Sequence, residues 1–146
     1  IGKDPYGRIL EFDVATNKMG VYLEGGTAKY DSLKNFSNPD CISKLELNGK
    51  TYLFISEDLV GLDQNRISAE AMAAGEVYCE LYVLDMSIEN PTVDHLVRFA
   101  VAPNGSETTG TIFSPDGKHM FLNIQHPLPE NGEPFDRSST IVIEGF

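Results

Sequence analysis

Two tight-turn signals, each set between apolar runs, restrict this chain to antiparallel β-structure. Asn48-Gly49 separates Cys41 to Leu47 from Thr51 to Ser56, and Pro115-Asp116-Gly117 separates Thr111 to Phe113 from Met120 to Leu122. Asn, Asp and Gly tolerate the positive φ that a tight turn demands, so each signal predicts a hairpin. Arg8 to Asp13 alternates apolar and polar residues, Thr16-Asn17 supplies a turn, and Gly20 to Glu24 follows as a partner strand. Val77 to Asp85 and His95 to Ala102 form a further pair across a linker containing Asn90-Pro91, and Ser139 to Glu144 reads as the last strand. Gly25 to Asp40 is a Gly-, Ser- and Asn-rich connection. Only Ser68 to Glu76 hints at helix, and it reads as an inserted turn, a single helical turn or a loop.

The hairpins repeat. Asn48-Gly-Lys-Thr-Tyr-Leu-Phe-Ile-Ser-Glu57 matches Asp116-Gly-Lys-His-Met-Phe-Leu-Asn-Ile-Gln125, and Arg8 to Asp13 resembles Glu80 to Asp85 at nearly the same spacing. Self-similar hairpin pairs are the sign of a propeller or another repeat array, although blades of roughly 40–50 residues are usual and the long segment from Leu59 to Glu76 must absorb the excess. The expected fold is therefore all-β, a partial β-propeller of about two to two and a half four-stranded antiparallel blades. It divides into an outer hairpin at 8–24, a full blade at 40–102 and a partial blade at 107–146. Both ends of the chain look cut, and a rearranged sandwich is the competing architecture. Cut blade faces would leave apolar surface uncovered, so the chain is expected to self-associate.

A net charge of -11 over 146 residues excludes recognition of a phosphate backbone, which needs Lys and Arg at the interface. No nucleic-acid partner is expected. Cation binding stays open, because acidic side chains serve equally as solvated surface and as hard oxygen ligands. No run of eighteen apolar residues offers a membrane span, and no basic stretch followed by an apolar core opens the chain as a signal peptide. Cys41 and Cys79 fit neither a metal clip nor a disulfide framework and read as inert thiols, a single bridge being the alternative. Asn35-Phe36-Ser37 and Asn104-Gly105-Ser106 match the short glycosylation sequon.

In a propeller the inner strands and the connections into them line the channel mouth, where polar residues become site candidates. Asp40 lies before one inner strand, Glu57 and Asp58 end its partner, and Glu107 precedes the next inner strand; these four are the candidate metal ligands. Singly, each could equally be a turn residue or a solvated acid. Thr108-Thr109-Gly110 leaves little bulk beside Glu107, so a ligand can approach it closely. Asn123, Gln125 and His126 follow at the end of the facing strand as candidate substrate-binding groups, with the His126 backbone expected to be extended because Pro127 follows it. His95 and His119 are expected to be exposed and without chemistry. No nucleophile elbow, Walker loop, His-Glu-x-x-His motif or EF-hand loop occurs, and no catalytic residue is assigned.

Glu107-Thr-Thr-Gly110, the following Phe-Ser-Pro-Asp-Gly-Lys and Phe121-Leu-Asn-Ile-Gln-His-Pro127 resemble the C-terminal signature of PhoX-type bacterial alkaline phosphatases. Asn38-Pro39-Asp40 and Ser56-Glu57-Asp58 are similar to its preceding blade, so that the likeness runs from about Arg8 onward. The resemblance implies a six-bladed propeller that hydrolyses phosphate monoesters in the periplasm or outside the cell, with calcium and iron at the channel mouth and Glu107 as the best metal ligand in this chain. Three departures stand out. The family's Thr-Cys-Glu-Glu segment is absent, Ser106 stands where Cys is frequent, and Leu128 replaces the usual Gly. The chain is therefore expected to be an inactive fragment of a secreted metal-dependent phosphatase. A noncatalytic propeller module binding protein or carbohydrate and a calcium-dependent sugar lactonase are the alternatives.

Overall fold

The computed structural model describes residues 6–31, 34–58, 74 and 78–145, and the Ser68 to Glu76 segment lies outside them apart from Ala74. The described residues are all-β. Eleven strands run in chain order: β1 (Arg8–Asp13), β2 (Lys18–Glu24), β3 (Gly26–Thr27), β4 (Asn35–Phe36), β5 (Pro39–Leu47), β6 (Lys50–Glu57), β7 (Glu80–Asp85), β8 (Val97–Val101), β9 (Glu107–Phe113), β10 (His119–Gln125) and β11 (Ser139–Glu144). They form four antiparallel sheets: β1-β2, β3-β4, β5-β6-β7-β8 and β11-β10-β9.

The four-stranded sheet lies between two others, and period-two alternation explains how. On β6 and β7, Leu53, Ile55, Tyr82 and Leu84 face one way and pack with Leu23 and Ile9 of the β1-β2 hairpin, Phe36 of β4, and Val93 and Leu96. Phe54 and Leu81 face the other way, and with Leu45 they meet Met120, Leu122 and Ile124 of β10. Aromatic edges lock both layers, Phe36 against Tyr82 at 5.5 Å and Phe54 against Phe113 at 4.8 Å between centroids. A strand buried on both faces needs apolar residues at successive positions, which is what Leu53-Phe54-Ile55 and Leu81-Tyr82-Val83-Leu84 supply.

The expected strands are present, with local shifts. The Gly25 to Asp40 connection carries the two-residue strands β3 and β4 and the start of β5. Among the described residues β7 begins at Glu80, and β8 begins at Val97, because Val93–His95 forms a 3-10 turn opened by a Thr92 capping box. His95 is exposed there, as expected, whereas His119 lies within β10, half-buried, with Nε2 3.3 Å from Glu144. The ungapped repeat also needs a shift. Its matched residues Phe54 and Leu122 both enter one core cluster, so they face each other, whereas repeats related by rotation face the same way round. Moving the match by one residue pairs Leu53 with Met120 and Ile55 with Leu122 and restores a common sense. The unequal turns absorb the change, since Leu47 pairs with Lys50 but Phe113 pairs with Met120.

Both cysteines are free thiols, Cys79 fully buried and Cys41 partly so.

Candidate functional site at one end of the sheets

The β9-β10 hairpin is fixed at its turn and open at its other end. Ser114 Oγ donates to Asp116 Oδ1 at 2.6 Å and accepts the His119 N–H at 3.0 Å, while Lys118 N–H reaches the same Asp116 oxygen at 3.2 Å. The Ser114 hydroxyl, followed by the Lys118 N–H, holds the Asp116 carboxyl below its usual range. At the far end Glu107 stands opposite Gln125 and Thr109 opposite Asn123.

A register break between Phe121 and Asn123 admits Gly110, whose φ of +60° lies in the left-handed region that favours glycine. A Cβ at this position would lie 2.6 Å from Asn123 Nδ2. Asn123 is held in turn by Thr140, whose Oγ1 donates to Oδ1 at 2.6 Å. His126 leaves the strand with φ +56°, not with the extended backbone expected ahead of Pro127. Chain reversal toward the 3-10 turn at Pro129–Asn131 outweighs the pre-proline preference, and the His126 N–H reaches Ser138 Oγ at 3.3 Å. Its ring is 71% exposed and turns back so that Nε2 lies 4.0 Å from Glu107 Oε1, while the Glu107 side chain is only 13% exposed. A cleft of about 270 Å³ runs beside these groups, lined by Asn123, Gln125, Ser138 and Thr140.

Strands β5 and β9 run side by side and bring the other candidates to the same end. Cys41 Sγ lies 3.3 Å from Thr109 Oγ1, and Ser43 Oγ donates to the Thr111 carbonyl. The starts of β5, β7 and β9 and the ends of β6 and β10 are thereby collected together. Asp40 and Glu107 are each the first or second residue of their strands, not residues ahead of them, because the ladders extend further than the apolar runs. Asp40 is exposed, and its Oδ2 accepts from Cys41 Sγ at 3.2 Å. Asp58 is exposed just past β6, its N–H donating to the Asn38 carbonyl at 3.0 Å.

Glu57 differs from the rest. It is 1% exposed, and its two carboxylate oxygens accept the backbone N–H groups of Ser37 at 2.8 Å and Glu80 at 3.1 Å. Backbone donors from two segments thus occupy the carboxylate that sequence reasoning offered as a metal ligand. Beside it Tyr82 donates to Glu80, which also pairs with Arg98; burial first, then the Glu80 bond, pushes the phenol far above its usual range. That network escaped the sequence because its members come from neighbouring strands, Glu57 from β6, Glu80 and Tyr82 from β7 and Arg98 from β8.

Among the described residues no three of His, Cys, Asp and Glu converge to hold a metal ion. The described residues by themselves hold no complete site for calcium or iron. Ser106 adds no ligand, since its buried hydroxyl donates to the Pro103 carbonyl at 2.5 Å. Leu128 seats over Gly105, where a Cβ would come within 2.4 Å of Leu128 Cγ. No helix among the described residues is long and apolar enough to cross a membrane.

A scan against family models matches residues 2–128 to the family described as alkaline phosphatase PhoX. No curated protein and no solved structure matches.

Proposed function

The chain belongs to the alkaline phosphatase PhoX family, and from that premise we propose that it is a section of a propeller enzyme hydrolysing phosphate monoesters outside the cytoplasm. The observation that carries this reading is the family match over residues 2–128, which includes all seven candidate residues. The geometry supports it. Three sheets stacked face to face, with β5 and β9 in side-by-side contact, are what neighbouring blades produce where their inner strands approach a common axis. In this reading β5 to β8 form a complete blade, β1-β2 the outer hairpin of the one before, and β9 to β11 part of the one after.

The strand ends gathered at one side then face the channel mouth. Glu107, shielded and opposite Gln125, supplies one anionic oxygen to a cation site completed by residues outside this chain. Asn123, Gln125 and His126 offer amide and imidazole donors to substrate oxygens. An acidic protein binds an anionic ester only where positive charge neutralises the site, and a bound cation would supply that charge. The chain's own groups shape and orient; alone they do not hydrolyse. Calcium and iron are the ions the resemblance implies, and periplasmic or extracellular placement follows from the same source.

Phosphate-ester hydrolysis by the full-length protein, assayed with and without chelator, tests the proposal. Chelator-sensitive hydrolysis is expected. A full-length protein inactive on phosphate monoesters would favour a noncatalytic propeller module.

A further inference from the structure

We infer that Thr140 is a positioning residue for ester binding, one that fixes the Asn123 side-chain amide so that it meets the substrate only as a donor to phosphoryl oxygens. The inference deepens the reading above and rests on it. Three observations carry it.

The first is the bond itself. Asn123 and Thr140 stand directly opposite each other on β10 and β11, and Thr140 Oγ1 donates its one proton to Asn123 Oδ1 at 2.6 Å. The amide cannot turn over without breaking that bond, so Nδ2 keeps to the other side. The second is where Nδ2 lies. It rests over Gly110, 2.6 Å from where a Cβ would stand, and among the described residues no protein group accepts from it. Asn123 also lines the cleft that it shares with Gln125, Ser138 and Thr140. An amide held in this sense offers hydrogens and withholds its carbonyl. The ionised oxygens of a phosphate monoester only accept hydrogen bonds, whereas a substrate hydroxyl seeking an acceptor would find the carbonyl oxygen already engaged.

The third observation is that the same entry to β11 steadies a neighbouring candidate. Ser138 Oγ accepts the His126 N–H at 3.3 Å and so helps to hold a non-glycine residue at φ +56°. Both hydroxyls lie beyond residue 128, where the family match ends.

The test uses the full-length protein, with phenyl phosphate as substrate and inorganic phosphate as competing ligand. Thr140 is exposed, and Thr140→Val keeps its shape and strand preference while removing the donor. The KM and the inhibition constant of inorganic phosphate should each rise about tenfold, the share of one charge-assisted hydrogen bond, while kcat stays within about threefold. Bound metal and the unfolding midpoint should not move. Thr140→Ser restores the hydroxyl and should return both constants to wild type. In protein carrying isotope-labelled asparagine, the Asn123 amide resonances should shift in Thr140→Val and hold in Thr140→Ser. An active enzyme whose constants ignore Thr140→Val would overturn the inference, as would a Thr140→Ser enzyme no better than Thr140→Val. A wild-type protein inactive on phosphate monoesters would overturn the phosphatase reading and this inference with it, so wild-type activity tells the two failures apart.

Discussion

Glu57 Oε1 accepts the backbone N–H of Ser37 at 2.8 Å, inside a region where both residues are all but sealed from solvent. The other oxygen takes the Glu80 N–H, so that one side chain ties the entry to β5 and the entry to β7 to the end of β6. Glu57→Ala leaves two buried donors unpartnered, and a stability loss of about 3 kcal/mol is expected from denaturant unfolding. Glu57→Gln keeps one acceptor oxygen and should lose about half as much. A loss under 0.5 kcal/mol for Glu57→Ala would show that the carboxylate is not a clamp.

Glu107 carries the opposite expectation. In the full-length protein Glu107→Gln preserves shape and removes the charge, so bound metal and turnover should both fall, turnover by about a hundredfold, while the unfolding midpoint hardly moves. Metal analysis beside kinetics decides it. Unchanged metal content would reduce Glu107 to a partner for His126.

Gly110→Ala should disturb the site without touching its donors. The new methyl requires a φ near +60° and the space of Asn123 Nδ2. About 1–2 kcal/mol of stability should go. The Asn123 bond to Thr140 should break, visible as a shift of the Asn123 side-chain amide resonances.

The acid response has a defined sign. The Lys50 ammonium, 2.7 Å away, and then the Ser87 hydroxyl and N–H hold the Asp85 carboxyl well below its ordinary 3.8. The unfolded chain therefore takes up this proton first as pH falls. Stability from this pair is present above about pH 3.9 and drains below it toward the folded-state value. Asp85→Asn should flatten that part of the stability profile and leave the profile above pH 5 parallel to wild type, as measured by thermal melts across pH.

The two outer faces of the stack predict self-association. Leu10, Phe12, Met19 and Val21 remain at least half exposed on β1-β2, and Ile112, Phe121 and Val142 are exposed on the far sheet. Sedimentation should show species larger than a monomer, and Phe12→Glu together with Phe121→Glu should shift the distribution to monomer. A wild-type monomer at high concentration would mean that these faces need no cover.

Strand positions were legible because turn chemistry and alternation are local. Asn48-Gly49 and Asp116-Gly117 placed two hairpins, whereas the cover on both sides of Leu53-Phe54-Ile55 emerged only from the packing of the sheets. The conformation of His126 was not legible, since a tertiary reversal overrode the preference imposed by Pro127. Nor was the employment of Glu57: a carboxylate awaiting a cation and one satisfied by backbone N–H groups have the same letter and the same neighbours in sequence. The seven candidate residues do come to one end of the sheets, because strand direction, which the hairpin pattern fixes, decides which termini gather. Their side-chain partners depend on packing between sheets, and no periodicity encodes that.

The central strands β6 and β7 of the β5-β8 sheet are covered on both faces by neighbouring layers. Opening one flanking layer still leaves them half covered, so damage at either end of the stack is contained at the next interface and does not spread through the molecule. The rim around Glu107 can therefore loosen while the Phe36, Tyr82 and Leu84 layer on the other face of the sheet stays packed.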